Sequence, residues 1–147
     1  MPTTPIHLTI PGKPVPQPRH RATRGGRMYL PSSAPVRAFK AAIIAVARER
    51  VRNPFPGGVV VGITAVFCRP PSHLTARGEL RKGVADHPGK NLGDVDNLAK
   101  GVMDALTDAG VVWADDSQVV ELRVSKAWGD ADLTEVTIEE VPHGRSR

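Results

Sequence analysis

The chain has 147 residues, 40% of them apolar but only 4% aromatic, and a formal net charge of +5. This suffices for one domain with an aliphatic core, and no run approaches the roughly 20 apolar residues of a membrane span. No basic region followed by an apolar stretch marks the N-terminus, so no signal peptide is predicted. The single cysteine, Cys68, lies in an apolar run, so we expect a buried, inert thiol and a cytoplasmic protein.

The charges are divided unevenly along the chain. Residues 1–93 carry 15 Lys and Arg against three acids, a net charge of +12, whereas residues 94–147 carry a net charge of −7. A basic half beside an acidic half predicts a polyanionic partner held against an acidic site that needs a cation. The alternative is two oppositely charged faces that are merely solvated.

A first strand is predicted over residues 6–10, where apolar residues alternate with others. The following loop, 13–29, is rich in Pro and Arg and contains a Gly25-Gly26 turn, so it cannot be helical at its start. We expect its basic side chains to contact phosphates without reading base sequence; the alternative is a disordered arm with no specific role. The predicted DNA-binding residues are Lys13, Arg19, Arg21, Arg24, Arg27 and, further along, Lys90.

The middle of the chain predicts a helix over 35–51, capped by Ser32 or Ser33, whose basic outer face is expected to be mainly solvated. The apolar run 59–68 predicts a central strand, with Gly62 as a bulge or close-packing point. Residues 70–90 are either a mobile functional loop or contain a short helix at 74–80. The two histidines of that loop lack the spacing of a zinc site.

The last third predicts a helix over 96–109 that Gly110 ends, a short extended link at 111–113, and strands at 118–128 and 133–141 that form a terminal hairpin. The element order is β-α-β-α-β-β. It predicts an α+β fold, a single domain over residues 1–141 with helices packed on a mixed, mainly antiparallel sheet. Residues 142–147 are expected to be a frayed tail.

Carboxylates are concentrated at two points about twenty residues apart. Asp94 and Asp96 would point the same way if the backbone there were extended, and Lys100 lies one helical turn after Asp96. The pair Asp115-Asp116 follows the helix. Carboxylates this crowded favour a divalent cation. The alternatives are that Asp96 is a helix N-cap and that the later pair only shapes a turn; an EF-hand is excluded because no glycine stands where its loop needs one.

The stretch from Gly93 to Lys126 closely resembles the signature of the RusA family of Holliday-junction resolvases. It contains D-V-D-N-L-A-K, a D-A-L helix end, and D-D-S-Q before a strand that closes in Lys. The run P-V-P-Q-P-R-H-R near the N-terminus is similar to the family's N-terminal loop. The resemblance covers most of the chain, and residues 70–90 are the part that does not align.

The resemblance implies which residues form the site. Asp94, Asp96 and Asp116 would be catalytic residues that hold Mg²⁺, with Mn²⁺ as a substitute, and Asp115 would be the alternate ligand to Asp116. Lys100 would be the essential basic partner, contacting the scissile phosphate or the leaving oxygen.

The same resemblance implies a homodimer that acts on branched DNA without an organic cofactor or a membrane. A dimer with two-fold symmetry suits a four-way junction, because it can nick two opposed strands. Two alternatives stay open at this point. One is a branched-DNA-binding protein without catalysis, and the other is a nuclease that acts mainly on flaps or forks.

Overall fold

The computed structural model describes residues 4–18, 21–29 and 33–141. The predicted element order is confirmed, with a two-strand hairpin added inside the N-terminal loop, around the predicted Gly25-Gly26 turn. The predicted tail, 142–147, lies outside the described residues. The elements are β1 (Ile6–Pro11), β2 (Arg21–Ala22), β3 (Met28–Tyr29), α1 (Ala34–Arg50), β4 (Val59–Cys68), α2 (Val95–Ala109), β5 (Val119–Gly129) and β6 (Leu133–Glu140).

The main sheet has the strand order β1-β6-β4-β5. β6 is antiparallel to both β1 and β4, whereas β4 and β5 are parallel and are connected through α2. The sheet is therefore mixed and mainly antiparallel, as predicted. β4 is an inner strand, which agrees with its nearly continuous apolar sequence.

The predicted terminal hairpin is wrong, because β4 lies between β5 and β6. The connection between these two strands crosses the end of β4, where the Asp132 carboxylate accepts a hydrogen bond from the Cys68 N–H at 2.7 Å. The Arg69 N–H donates to the Gly129 carbonyl at 3.1 Å in the same place. A Gly-Asp turn between two alternating segments is a strong hairpin signal, but here its polar groups bind the end of a third strand.

One face of the sheet is covered by the two helices and the other is open. Every second residue of β4 from Val59 to Phe67 is buried in the core on the helix side. Cys68 falls out of that alternation and is exposed, so the prediction of a buried thiol is wrong. On the open face, a Cβ added to Gly62 would come within 2.7 Å of the Thr137 hydroxyl, which confirms a close-packing point there. The β-bulge lies instead at Val59/Val60.

α1 begins where predicted, with the Ser33 hydroxyl accepting a hydrogen bond from the Val36 N–H at 3.4 Å. Two residues of its basic face contact the end of α2: Lys40 forms an ion pair with Asp108, and the Arg48 guanidinium donates to the Ala109 carbonyl at 3.1 Å. A cation there satisfies one of the carbonyls left open at a helix C-terminus. No helix within the described ranges is long and apolar enough to cross a membrane.

The loop between β4 and α2 contains no helix at 74–80. A short 3-10 turn at Pro71–His73 is followed by a small antiparallel bridge between Leu74 and Leu80. The loop is tied to the sheet at Ala85, whose carbonyl accepts hydrogen bonds from Arg69 at 3.2 Å and from the Trp128 indole at 3.1 Å. The position of this loop matters because it leads directly into the acidic segment.

Candidate active site

The acidic segment begins at a sharp turn in front of α2. Gly93 has a φ of +106°, and a Cβ added to it would come within 2.8 Å of Pro16. Asp94 follows in extended backbone as the N-cap residue, and Asp96 lies in the first turn of the helix. The extended geometry considered for the two acids does not occur, because the chain is already helical at Asp96.

Neither acid matches the capping alternative. The N-cap position belongs to Asp94, not to Asp96, and the Asp94 side chain makes no capping hydrogen bond. Asp94 and Asp96 are both exposed. Because negative charge is favourable at a helix N-terminus, α2 tolerates both carboxylates at this end.

Lys100 and Asp104 continue the same helical face. They follow Asp96 at intervals of four residues within α2, as predicted, so each lies one turn beyond the previous side chain. Lys100 is exposed and Asp104 is half-buried. The face therefore alternates in charge along its length, from acid to base to acid.

The chain after α2 turns back onto this face. Gly110 ends the helix in a left-handed conformation, with a φ of +74°, and the predicted extended link at 111–113 is a bend instead. Trp113 is buried and its indole N–H donates to the Thr107 hydroxyl at 2.9 Å, which fixes the reversal. The short 3-10 turn Asp116–Gln118 that follows packs against α2.

The two adjacent acids of this turn differ in their surroundings. The Asp115 carboxylate caps the turn by accepting a hydrogen bond from the Ser117 N–H at 3.1 Å. That bond, followed by a side-chain hydrogen bond with Asp116, lowers the pKa of Asp115. Asp115 is thus used by the turn itself.

Asp116 faces the charges of α2. Its pKa is raised first by the hydrogen bond it shares with Asp115, then by partial desolvation and by the negative charges of Asp115 and Asp104, while the positive charge of Lys100 opposes the shift. Both acids of the turn are exposed, so these effects are screened by solvent. The turn nevertheless brings Asp116 to the helical face that carries Lys100.

Within the described ranges, no three His, Cys, Asp or Glu side chains stand close enough together to hold a metal ion. Mutual repulsion keeps carboxylates apart unless a cation lies between them. The donor chemistry nevertheless fits a hard divalent cation, because exposed carboxylates flank one corner from both the start of α2 and the turn after it.

Gln118 organises the turn through all the polar atoms of its side-chain amide. Its oxygen accepts hydrogen bonds from the N–H groups of Ala114, at 2.9 Å, and Asp115, at 3.4 Å. Its nitrogen donates to the carbonyls of Phe55, at 2.8 Å, and Gly57, at 2.9 Å. This side chain therefore attaches the acidic turn to the connection between α1 and β4.

Lys126 supports the site from β5. Its ammonium group donates to the carbonyls of Gly93, at 3.0 Å, and Gly89, at 3.4 Å. The sequence patterns contained both Gln118 and Lys126, as the Gln of D-D-S-Q and the Lys that closes the strand, but assigned neither a role. The signal was their place in the signature, because neither residue is distinctive alone.

The proline-rich arm is fixed beside the same corner. The Gln17 N–H donates to the Asn97 carbonyl at 3.1 Å, and Gly101 of α2 leaves room for the arm, because a Cβ there would lie 3.6 Å from Gln17. Pro16 packs on Gly93. The arm that carries the predicted DNA-binding residues thus starts at the acidic end of α2.

We expect Gly93→Ala to lower the free energy of unfolding by about 1–3 kcal/mol, since alanine is strained at this φ and collides with Pro16. Urea denaturation followed by circular dichroism measures the loss. Gly57→Ala is the matched control, because a Cβ there meets no atom within 4 Å and the backbone is not left-handed. Equal stability of the two variants would contradict this account of Gly93.

The predicted DNA-binding residues lie on two segments. Lys13 is exposed directly after β1, and Arg24 and Arg27 are exposed at the tip of the β2–β3 hairpin. Lys90 is exposed in a 3-10 turn just before Gly93, and its carbonyl accepts the Gly93 N–H at 3.1 Å. Arg19 and the side chain of Arg21 lie outside the described part of the chain.

Two comparisons relate the chain to known proteins. The family model described as endodeoxyribonuclease RusA matches residues 11–139. The chain is also similar to an uncharacterized protein of Bacillus subtilis (strain 168), YqaN. The two are 33% identical over 141 residues, which covers 92% of this chain and 96% of that protein.

Proposed function

Because this chain belongs to the RusA family of endodeoxyribonucleases, we propose that it is a Mg²⁺-dependent nuclease that resolves four-way DNA junctions in recombination and repair. One observation carries the proposal at the level of residues. The turn after α2 returns to the helix, so that Asp116 faces Lys100 and Asp104 on the helix whose start carries Asp94 and Asp96.

Asp94, Asp96 and Asp116 would hold the metal, and no organic cofactor is needed. Asp116 is preferred to Asp115 because the Asp115 carboxylate already caps the turn. When bound, Mg²⁺ supplies Lewis-acid stabilisation of the charge that develops on the phosphate, and Mn²⁺ is a suitable substitute.

The chain's own residues bind and orient the substrate in this mechanism. Lys100 neutralises charge at the scissile phosphate or the leaving oxygen, for which its exposed position one turn above Asp96 is suitable. Lys90 and the basic arm hold the DNA backbone on either side, by charge and shape. Gln118 keeps the turn of Asp116 in place against α2.

The basic hairpin gives a prediction about binding. Replacing Arg24 and Arg27 together with Ala should weaken junction binding equally for all sequences, and should reduce the slope of log affinity against log salt by about 0.9 for each phosphate that the two arginines neutralise. The control is the pair Arg50→Ala and Arg52→Ala, which removes the same charge at the exposed end of α1. Equal weakening by the two pairs, measured by fluorescence anisotropy, would contradict a specific role of the hairpin.

Gln118→Ala should raise the Mg²⁺ concentration needed for half-maximal cleavage by about 10- to 100-fold, because the turn that presents Asp116 loses its attachment. Thr64→Ala is the control, since it also removes a side-chain hydrogen bond, here with Ser125 on the open face of the sheet. An unchanged Mg²⁺ dependence in Gln118→Ala would remove Gln118 from the account. Thermal melts of both variants separate this effect from loss of stability.

The substrate class is tested by cleavage of matched four-way, flap, fork and linear DNA, each with Mg²⁺ and with EDTA. We expect paired nicks in the four-way junction, dependence on Mg²⁺, and slower cleavage of the other forms. Binding without cleavage would favour the alternative of a silent branched-DNA-binding protein. Faster cleavage of flaps or forks would favour the other alternative.

The proposed enzyme acts as a homodimer. A four-way junction has two-fold symmetry, and resolution requires cuts in two opposed strands, so two sites related by a two-fold axis match the substrate. A single copy of the chain supplies one acidic corner of this kind among its described residues.

A further inference from the structure

Exposed aliphatic side chains are concentrated at one place on the described part of the chain. Four large apolar side chains are well exposed there: Val95 at 40%, Val120 at 64%, Leu122 at 43% and Leu80 at 58%. Three of these lie at the start of α2 and on the neighbouring β5, and only Leu80 lies elsewhere, in the loop after β4. A concentration of this kind marks an interaction surface.

Val95 and Leu122 face each other across a groove of about 390 Å³ between α2 and β5. Ala99, Met103 and Val124 complete its apolar lining, and Asp96 and Lys100 also border it. None of the lining residues is aromatic. Unpaired bases are bound by stacking on aromatic rings, so the groove has the composition of a protein-binding surface and lacks that of a base-binding one.

β5 is also an edge strand whose outer side is open over part of its length. It pairs only with β4 in the described sheet. Its second half is covered by the segment that leads into α2, through the hydrogen bonds of Lys126 to Gly93 and of Trp128 to Ala85. The first half, residues 119–125, is left as an open edge, and such an edge pairs readily with a strand of another chain.

The sequence of this open edge is complementary to itself. In an antiparallel pair of two β5 strands with Leu122 on the two-fold axis, Leu122 meets Leu122 and Glu121 lies opposite Arg123 of the other copy. Opposite residues in such a pair lie about 4.5–5.5 Å apart at Cβ, close enough for ion pairing. Charges of one sign would block the edge, whereas these two flank Leu122 with opposite signs. Arg123 can reach a partner, because its side chain is 80% exposed.

We infer that the open edge of β5 and the adjoining groove bind a second copy of this chain, through antiparallel pairing of the two β5 strands about Leu122. The inference rests on the proposed function for its purpose, since it identifies the surface that would join two cutting sites. The groove is bordered by Asp96 and Lys100, so this pairing places the two acidic corners on either side of one axis.

Sedimentation velocity tests the inference without any use of cleavage. The wild type is expected at twice the 15.8 kDa mass of one chain. Glu121→Arg and Arg123→Glu should each be monomeric, because each places like charges opposite one another in the self-pair. An equimolar mixture of the two variants should dimerise again, because every opposed pair then carries opposite charges.

The mixture also separates the interface from folding. Within one chain, Arg123 and Glu121 form an exposed ion pair at 2.8 Å, so either reversal also alters the monomer, but at small cost to its stability. A monomeric wild type, or a mixture that stays monomeric while the wild type dimerises, would overturn the proposed pairing.

A disulfide tests the register directly. In a Cys68→Ser background, Leu122→Cys should form an interchain disulfide on mild oxidation, because residues on the axis lie within the distance that a disulfide spans. Leu80→Cys, exposed but outside the surface, is the control and should stay monomeric under the same conditions. Equal cross-linking of the two would overturn the register. A dimer that cuts no DNA would refute the proposed function and leave this inference standing, and a cleaving monomer would do the reverse.

Discussion

Replacing Asp94 by Asn is expected to abolish cleavage of a four-way junction, lowering the single-turnover rate by at least about 10³-fold, while junction binding persists or becomes tighter. The loss follows because a metal held by carboxylates contributes several kcal/mol to stabilisation of the transition state, and each 1.36 kcal/mol corresponds to about a factor of ten. Binding survives because the substitution removes a negative charge that repels the DNA backbone.

The matched control is Asp108→Asn, the same change in the same helix. Asp108 forms an exposed ion pair with Lys40 at the opposite end of α2, and breaking such a pair costs little. Its rate is expected to stay close to the wild-type rate. Cleavage by Asp94→Asn at the rate of the control would end the metal-site hypothesis, provided that thermal melts show both variants to be folded.

Lys100→Ala is expected to lower kcat by about 10²- to 10³-fold, which is typical for removal of one group that stabilises transition-state charge. The Mg²⁺ concentration for half-maximal activity should not rise, because Lys100 is not a ligand and its charge competes with the metal for the carboxylates. Lys100→Arg should recover part of the rate, since it keeps the charge but changes the shape of the group.

Lys40→Ala is the control for this second variant, because it removes a lysine from the face of α1 that contacts the far end of α2. Single-turnover assays over a range of Mg²⁺ concentrations separate the two parameters. A Lys100→Ala enzyme with normal kcat and a raised Mg²⁺ requirement would show that the lysine organises the acidic site instead of acting on the phosphate.

Local sequence patterns predicted the elements well but not their neighbours. The helix over 96–109 and its end at Gly110 followed from apolar spacing and a glycine, and the structure confirms both within one residue. The pairing of β5 with β6 could not be excluded in the same way, because alternation says which residues share a face and not which strand lies alongside. The bond from Cys68 to Asp132 that accompanies the true arrangement joins residues 64 positions apart.

The acidic site shows the same division. Spacing alone placed Asp96 and Lys100 on one helical face, which the structure confirms. The return of Asp116 to that face could not be derived from spacing, because it depends on burial of Trp113 and on hydrogen bonds from Gln118 to residues more than 60 positions earlier. The family signature supplied the preference for Asp116, and the capping bond of Asp115 now gives it a physical reason.

The claim at the centre of this account is that Asp94, Asp96 and Asp116 bind one divalent-cation site, and binding of Mn²⁺ followed by electron paramagnetic resonance tests it most directly. Wild type should bind Mn²⁺, Mg²⁺ should displace it, and Asp116→Asn should lose most of the binding. Asp115→Asn should retain it, because Asn serves equally well as the cap of the turn. Mn²⁺ bound equally well by wild type and Asp116→Asn, or not bound by the wild type at all, would contradict the account.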